Sequence, residues 1–223
     1  MEPKKKSLLC RVYRWLPTFP QMILFPVIHF AIYEATNRIS LYGRYFPVYC
    51  SIDERLPLVR WFLIPYCLWF LMVFGTAGLY LLDDHIELRR YVKFLITSII
   101  PVYPVLLFYP STMPLRPDSV EGADLLSRGL SLIFLVDNNN SVFPSLHVLW
   151  AIGAMIALMR SERFRPLPAR LLLVTVTVLI CISTFMIKQH SVLDLIGALP
   201  FALIGWAMTY RYAECEDLVK QNS

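Results

Sequence analysis

Apolar residues in this chain come in long runs, separated by short polar stretches. Six runs are long enough to cross a bilayer as helices: roughly 18–36, 58–82, 91–109, 142–159, 171–187 and 191–210. The second is the strongest, charged only at Arg60 near its edge. The first holds Pro20, Pro26, His29 and Glu34, a pattern that also fits a helix lying at the interface. The third contains Pro101 and Pro104, which membrane helices tolerate where neighbours satisfy the freed carbonyls. The longest polar connection, 110–141, joins the third and fourth runs. Within it, Leu125, Leu126, Leu130, Ile133 and Phe134 recur at helical spacing, which predicts a short amphipathic helix over 123–136 on the membrane surface. Stretches 37–57, 83–90 and 160–170 read as polar loops, and 137–141 as a turn. The expected fold is all-α: an integral membrane six-helix bundle, with a short interfacial helix between spans three and four. One domain, 18–210, is flanked by a basic tail, 1–17, and a polar tail, 211–223. There is no internal repeat.

The net charge of +5 does not change this picture. Basic residues lie in clusters between apolar runs, where membrane topology accounts for them, so no nucleic-acid partner is expected. Fourteen of the 21 Lys and Arg fall in the two tails and the loops on their side. That bias predicts both termini in the cytosol. The basic start carries no cleavage site and reads as a retained cytosolic tail. The loops before spans four and six then share the outer face. A bacterial plasma membrane is the expected location; a eukaryotic endomembrane with the same topology would place that face in the lumen. The five cysteines form no CxxC pair and no metal spacing.

Two polar islands interrupt the apolar runs at that outer face. One is Phe143-Pro144-Ser145-Leu146-His147; the other runs from Ser183 to Asp194. His190 and Asp194 are spaced i, i+4, which on a helix puts them one turn apart on one face. A carboxylate there takes the hydrogen from one ring nitrogen and leaves the other as nucleophile or base. An aspartate within a span costs on the order of 2.5–3.5 kcal/mol on insertion scales, so it needs a partner or a polar cavity. Pro144 suits a first helical turn, where free amides and Ser145 form a ready anion site. His147, in that turn, is placed to give a proton to a leaving oxygen. Arg116 and Lys188 are candidate phosphate cations, the first as a fork and the second as a point charge. No HExxH pattern is present, and neither metal nor cofactor is expected.

These islands resemble the type-2 phosphatidic-acid phosphatase superfamily, whose site is shared with vanadate haloperoxidases and lipid phosphotransferases. The family pattern is a Lys, six residues, Arg-Pro; then Pro-Ser-Gly-His; then Ser-Arg, five residues, His, three residues, Asp. The chain has Arg116-Pro117, Pro144-Ser145-Leu146-His147, and Ser183-Thr184 followed at the same gaps by His190 and Asp194. It departs at three positions: Tyr109 stands where the family lysine falls, Thr184 where the third-motif arginine falls, and Leu146 where the glycine falls. Pro-Ser-Leu-His is similar to the variant in inositol-phosphorylceramide-synthase-like members.

The resemblance implies a metal-free enzyme in the bilayer. His190 would attack phosphorus and form a phosphohistidine, with Asp194 orienting it. His147 would protonate the leaving lipid alcohol and then activate water or an alcohol. Arg116, Lys188 and Ser145 would hold the phosphate oxygens. The implied reaction is dephosphorylation of a membrane lipid phosphate, of the phosphatidic acid or isoprenyl diphosphate class. The Pro-Ser-Leu-His variant leaves open transfer of a headgroup phosphate to an alcohol, and the two absent cations leave open an inactive membrane scaffold or lipid-binding protein.

Overall fold

The computed structural model describes residues 15–211. The tails expected at 1–17 and 211–223 lie almost wholly outside the described residues. Nine α-helices and two very short strands are described. In chain order the helices are α1 (Phe19–Arg38), α2 (Ser51–Arg55), α3 (Leu63–Asp83), α4 (His85–Ile99), α5 (Tyr103–Phe108), α6 (Leu125–Val136), α7 (Leu146–Arg160), α8 (Leu167–Met186) and α9 (Val192–Thr209). The strands are β1 (Phe46–Pro47) and β2 (Ser111–Thr112), which pair in parallel. The protein is a multi-pass integral membrane protein with an all-α bundle.

Four helical stretches among the described residues are long and apolar enough to cross a membrane: Arg60–Asp83, His85–Phe108, Leu167–Met186 and Val192–Thr209. Six were expected. The first expected span forms α1, which has the length, but Pro20, Gln21, Pro26, His29 and Glu34 leave it less apolar than the four. The fourth forms α7, which has only 15 residues. At 1.5 Å per residue that is about 22 Å, short of a ~30 Å hydrocarbon core. It starts late because Ser145, not Val142, caps it: the Ser145 hydroxyl accepts from the Val148 amide. The four spans carry exposed apolar side chains, such as Leu71, Phe74, Leu82, Leu172 and Leu203, as a lipid-facing surface requires.

The loop expected at 83–90 shrinks to one residue. Asp84 alone separates α3 from α4, and its carboxylate accepts from the amides of Ile86 and Glu87 at 2.9 and 3.1 Å. The charged residues that read as loop form the first turns of α4, where an acidic cap suits the helix dipole. At the other end, a 3-10 turn over Ile100–Val102 carries Pro101 and connects α4 to α5. The amphipathic helix expected over 123–136 is α6, capped by Asp124. Its Leu130 is buried against Leu63, Tyr66 and Ile187, while Leu132, Leu135 and Val136 stay exposed.

Helices α4 and α9 form the most extensive helix contact. Gly205 permits this approach: a Cβ there would stand 3.1 Å from the Phe94 carbonyl oxygen and 2.8 Å from Ser98 Cβ. Glu87 ties the start of α4 to the end of α7 through Arg160, and pairs with Arg90 within α4. The strands had no counterpart in the hydrophobic pattern. Their use is local: Ser111 in β2 accepts from the Ser141 amide through its carbonyl and from the Phe143 amide through its hydroxyl, at 2.6 and 2.8 Å. That fixes the chain that enters α7.

Candidate active site

The two polar islands meet. His190 Nε2 lies 3.3 Å from His147 Nδ1, and the rings stand 5.4 Å apart at 67°. His190 Nδ1 lies 3.0 Å from the Val142 carbonyl oxygen and 3.1 Å from Asp194 Oδ2. A carbonyl only accepts, so Nδ1 carries the hydrogen and Nε2 of the neutral ring carries a lone pair. His147 Nδ1 must then donate to it. The far nitrogen of His147, Nε2, is held by the Tyr66 hydroxyl at 3.0 Å, and Trp69 donates to the His147 carbonyl.

The local folding of this unit departs from an i, i+4 pair on one helix face. His190 precedes the helix; Ser191 is the N-cap of α9. Ser191 accepts from the Leu193 amide, and Asp194 Oδ2 accepts from the Ser191 amide at 2.8 Å. Ser191-Val192-Leu193-Asp194 is thus a capping box, and its carboxylate also holds the histidine. The two islands are stitched directly as well, by the Ser145 amide donating to the Asp194 carbonyl at 3.1 Å.

The remaining expected residues are placed differently. Ser145 is fully buried, with its hydroxyl capping α7. Arg116 donates to the carbonyls of Phe134 and Asp137 and to Gln189 Oε1, and lies over the Phe134 ring. It closes the C-terminal end of α6, whose last carbonyls lack intrahelical donors. Burial lowers its pKa, opposed by the Asp137 charge, yet a guanidinium stays charged. Lys188 is buried, and its ammonium donates to the carbonyls of Asp53 and Leu56 at 2.6 and 2.7 Å. Burial pushes its pKa down, with Asp53 opposing. The structure thus brings His190, His147, Asp194 and Ser145 together, and puts the Lys188 ammonium on the backbone of the α2 segment.

A cavity of about 600 Å³ opens onto the two imidazoles. Its outer wall is apolar, including Phe70, Phe74 and Trp150; its floor includes His147, His190, Ser141 and Asp137. Phe70 and Phe74 are also exposed on the outer surface, so the cavity reaches the lipid-facing side. Asp137 accepts from Tyr33 at 3.0 Å, and burial pushes its carboxyl up despite His190, Tyr33 and Arg116 nearby. His29, from the first apolar run, lines this cavity too, with its Nδ1 3.1 Å from the Tyr103 hydroxyl.

The model of one protein family, the PAP2 superfamily, matches residues 51–208. The chain belongs to the PAP2 superfamily. No curated protein and no solved structure matches it. The matched stretch takes in the bundle from α2 to α9 and leaves α1 outside. As in the expected PAP2 motifs, both histidines and the aspartate stand in one cluster. The two positions without the family cations are otherwise engaged. Tyr109 stacks on Phe46 with centroids 5.4 Å apart, and Thr184 is buried with its hydroxyl donating to the Cys181 carbonyl. No group of His, Cys, Asp and Glu able to hold a metal is found among the described residues.

Sequence reasoning missed Asp53, 1% exposed at the first residues of the matched stretch. Its carboxylate accepts from the Ser191 hydroxyl at 2.6 Å, the Cys50 amide at 2.9 Å and the Val192 amide at 3.0 Å. Burial alone would raise its pKa; these bonds outweigh it and leave the pKa lowered. Asp53 therefore clamps the segment that carries His190. Asp53→Ala strands three donors, the Ser191 hydroxyl buried and the Cys50 and Val192 amides half-buried, a loss on the order of 2–3 kcal/mol. At about 2–4 °C per kcal/mol, the melting midpoint in detergent falls by roughly 4–12 °C. An unchanged midpoint would show that the clamp carries no stability.

Proposed function

We propose that the protein is a membrane lipid-phosphate phosphatase working through a phosphohistidine on His190. The observation that carries this reading is His190 Nε2 lying 3.3 Å from His147 Nδ1 beside an apolar cavity that both rings line. A lipid would enter with its chains along the apolar wall and its phosphate at the imidazoles. A near-attack approach of about 3–3.5 Å from nucleophile to phosphorus uses the whole distance between the nitrogens. The phosphate therefore displaces the imidazole–imidazole bond as it binds. The His190 Nε2 lone pair forms the N–P bond while the P–O ester bond breaks; the leaving oxygen takes the Nδ1 proton of His147, which enters this step as the imidazolium and leaves it as the neutral ring. Asp194 holds the Nδ1 hydrogen and stabilises the positive charge that develops on His190. In the second half, His147 removes a proton from the acceptor, whose oxygen displaces His190 from phosphorus.

A second reading, transfer to a lipid alcohol, is favoured by the cavity itself. His190 is buried and the wall is apolar, so a lipid hydroxyl reaches the site by the substrate's own route. The motif likeness to inositol-phosphorylceramide-synthase-like members belongs to this reading. In both readings α1 also traverses the bilayer, and so does α7 once the non-helical lead-in 142–145 is added to its 15 residues, making six spans. Both termini lie in the cytosol and the histidines on the opposite face, in a bacterial plasma membrane.

One assay separates these readings. The protein, purified in detergent with EDTA, is offered phosphatidic acid, isoprenyl diphosphate, or a phosphoinositide with ceramide or diacylglycerol. Released inorganic phosphate supports the phosphatase; a new phospholipid with little free phosphate supports the transferase. No product from any of them points to a scaffold.

A further inference from the structure

Six buried side-chain atoms among the described residues lack a hydrogen-bond partner, and three belong to residues at the histidine pair: Ser141 Oγ, Gln189 Nε2 and Asp194 Oδ1. Buried polar atoms without partners are rare in folded proteins, and each calls for a missing ligand, ion or water. Two of these three are donors. They stand in a site from which two expected cations are absent.

Ser141 is 2% exposed and lines the cavity shared by both imidazoles. Its backbone is held in the left-handed region, φ 53°, by the bond from its amide to Ser111. The next residue, Val142, holds His190 Nδ1 through its carbonyl. Ser141 thus lines the same cavity as the nucleophile's ring, and its hydroxyl spends no bond on the protein. Gln189, also 2% exposed, immediately precedes His190. Its Oε1 accepts from Arg116 Nη1 at 2.7 Å. A guanidinium only donates, so the amide can face it only with its oxygen, and the NH2 group is left pointing elsewhere, without a hydrogen bond of good geometry. One of its hydrogens is turned toward the Tyr66 hydroxyl, which also contacts His147, so the amide stands beside the histidine pair. Asp194 Oδ1 is an acceptor and repels an oxyanion; it serves the charge on His190 instead.

We propose that Ser141 Oγ and Gln189 Nε2 are phosphate-oxygen donors of this site, doing with neutral groups what the absent lysine and arginine do elsewhere in the motif pattern. Arg116 then acts at one remove, as the residue that turns the Gln189 amide. Preorganised neutral donors in a water-poor site stabilise developing oxyanion charge strongly, because they need no reorganisation. The inference rests on the phosphate-site reading above.

Orthovanadate, a phosphate mimic, tests it by calorimetric titration of the full chain in detergent. The variants are Ser141→Ala, which removes the hydroxyl, and Gln189→Glu, which keeps an acceptor for Arg116 and removes the donors. Vanadate affinity is expected to fall about tenfold for Ser141→Ala and further for Gln189→Glu, with the melting midpoint of each within a few degrees of the parent. Wild-type affinity in both variants overturns the assignment while leaving the histidine site standing. A midpoint that collapses in step with affinity makes these side chains structural and also overturns it. A parent protein that binds no vanadate removes the phosphate site itself, and the assignment with it.

Discussion

His190→Ala abolishes lipid-phosphate turnover, by a factor on the order of 10,000 or more, while the protein still inserts and runs as a single species in detergent. Nucleophiles that act as part of a coupled unit show losses of this size. Here the unit is physical: Asp194 and Val142 hold one ring nitrogen, and His147 meets the other. The fold survives because Asp194 keeps the Ser191 amide and Ser145 keeps the Asp194 carbonyl. The capping box and the stitch between the islands do not pass through the imidazole. Activity above a tenth of the parent's would remove His190 from the chemistry.

Arg116→Ala carries the largest expected loss of stability. The guanidinium joins the end of α6, the Asp137 carbonyl and Gln189, and packs on Phe134. Removing it leaves three acceptors without their charged donor, a cost on the order of 3–5 kcal/mol. The melting midpoint in detergent drops by roughly 6–20 °C at the usual 2–4 °C per kcal/mol. Arg116→Lys recovers only part, because an ammonium replaces neither the planar fork nor the stacking. An arginine that served phosphate alone would leave the midpoint where it was, and that result would refute its role in holding α6 to Gln189.

The parts of the fold that were readable in advance are those that local pattern controls. The four strong spans stand close to the apolar runs, since a bilayer demands length and hydropathy of each run separately. α6 was readable from its spacing. The single-residue turn at Asp84 was not, because charged residues at a helix start look like a loop until the cap is seen. The short α7 was overrun for a related reason: Val142 and Phe143 are apolar, yet they serve as extended chain bonded to His190 and Ser111.

The candidate site divides the same way. His147, His190 and Asp194 were readable because motif gaps carry them. Tyr66, Asp53 and Gln189 were not, since their partners lie 81, 138 and 73 positions away. No local signal marks such contacts. Lys188 shows the opposite failure: near His190 in sequence, it spends its charge on two carbonyls of the α2 segment. The capping box at Ser191 was present in the sequence as Ser-x-x-Asp, and it explains why His190 sits before the helix rather than on it.

The sharpest check is chemical. The protein is mixed with a lipid substrate carrying labelled phosphate, quenched within a turnover at alkaline pH, digested and mapped by mass spectrometry. An alkali-stable, acid-labile phosphate on His190 is the outcome the two-imidazole site requires. Turnover with no phosphorylated histidine, or with the label on any other residue, would contradict it.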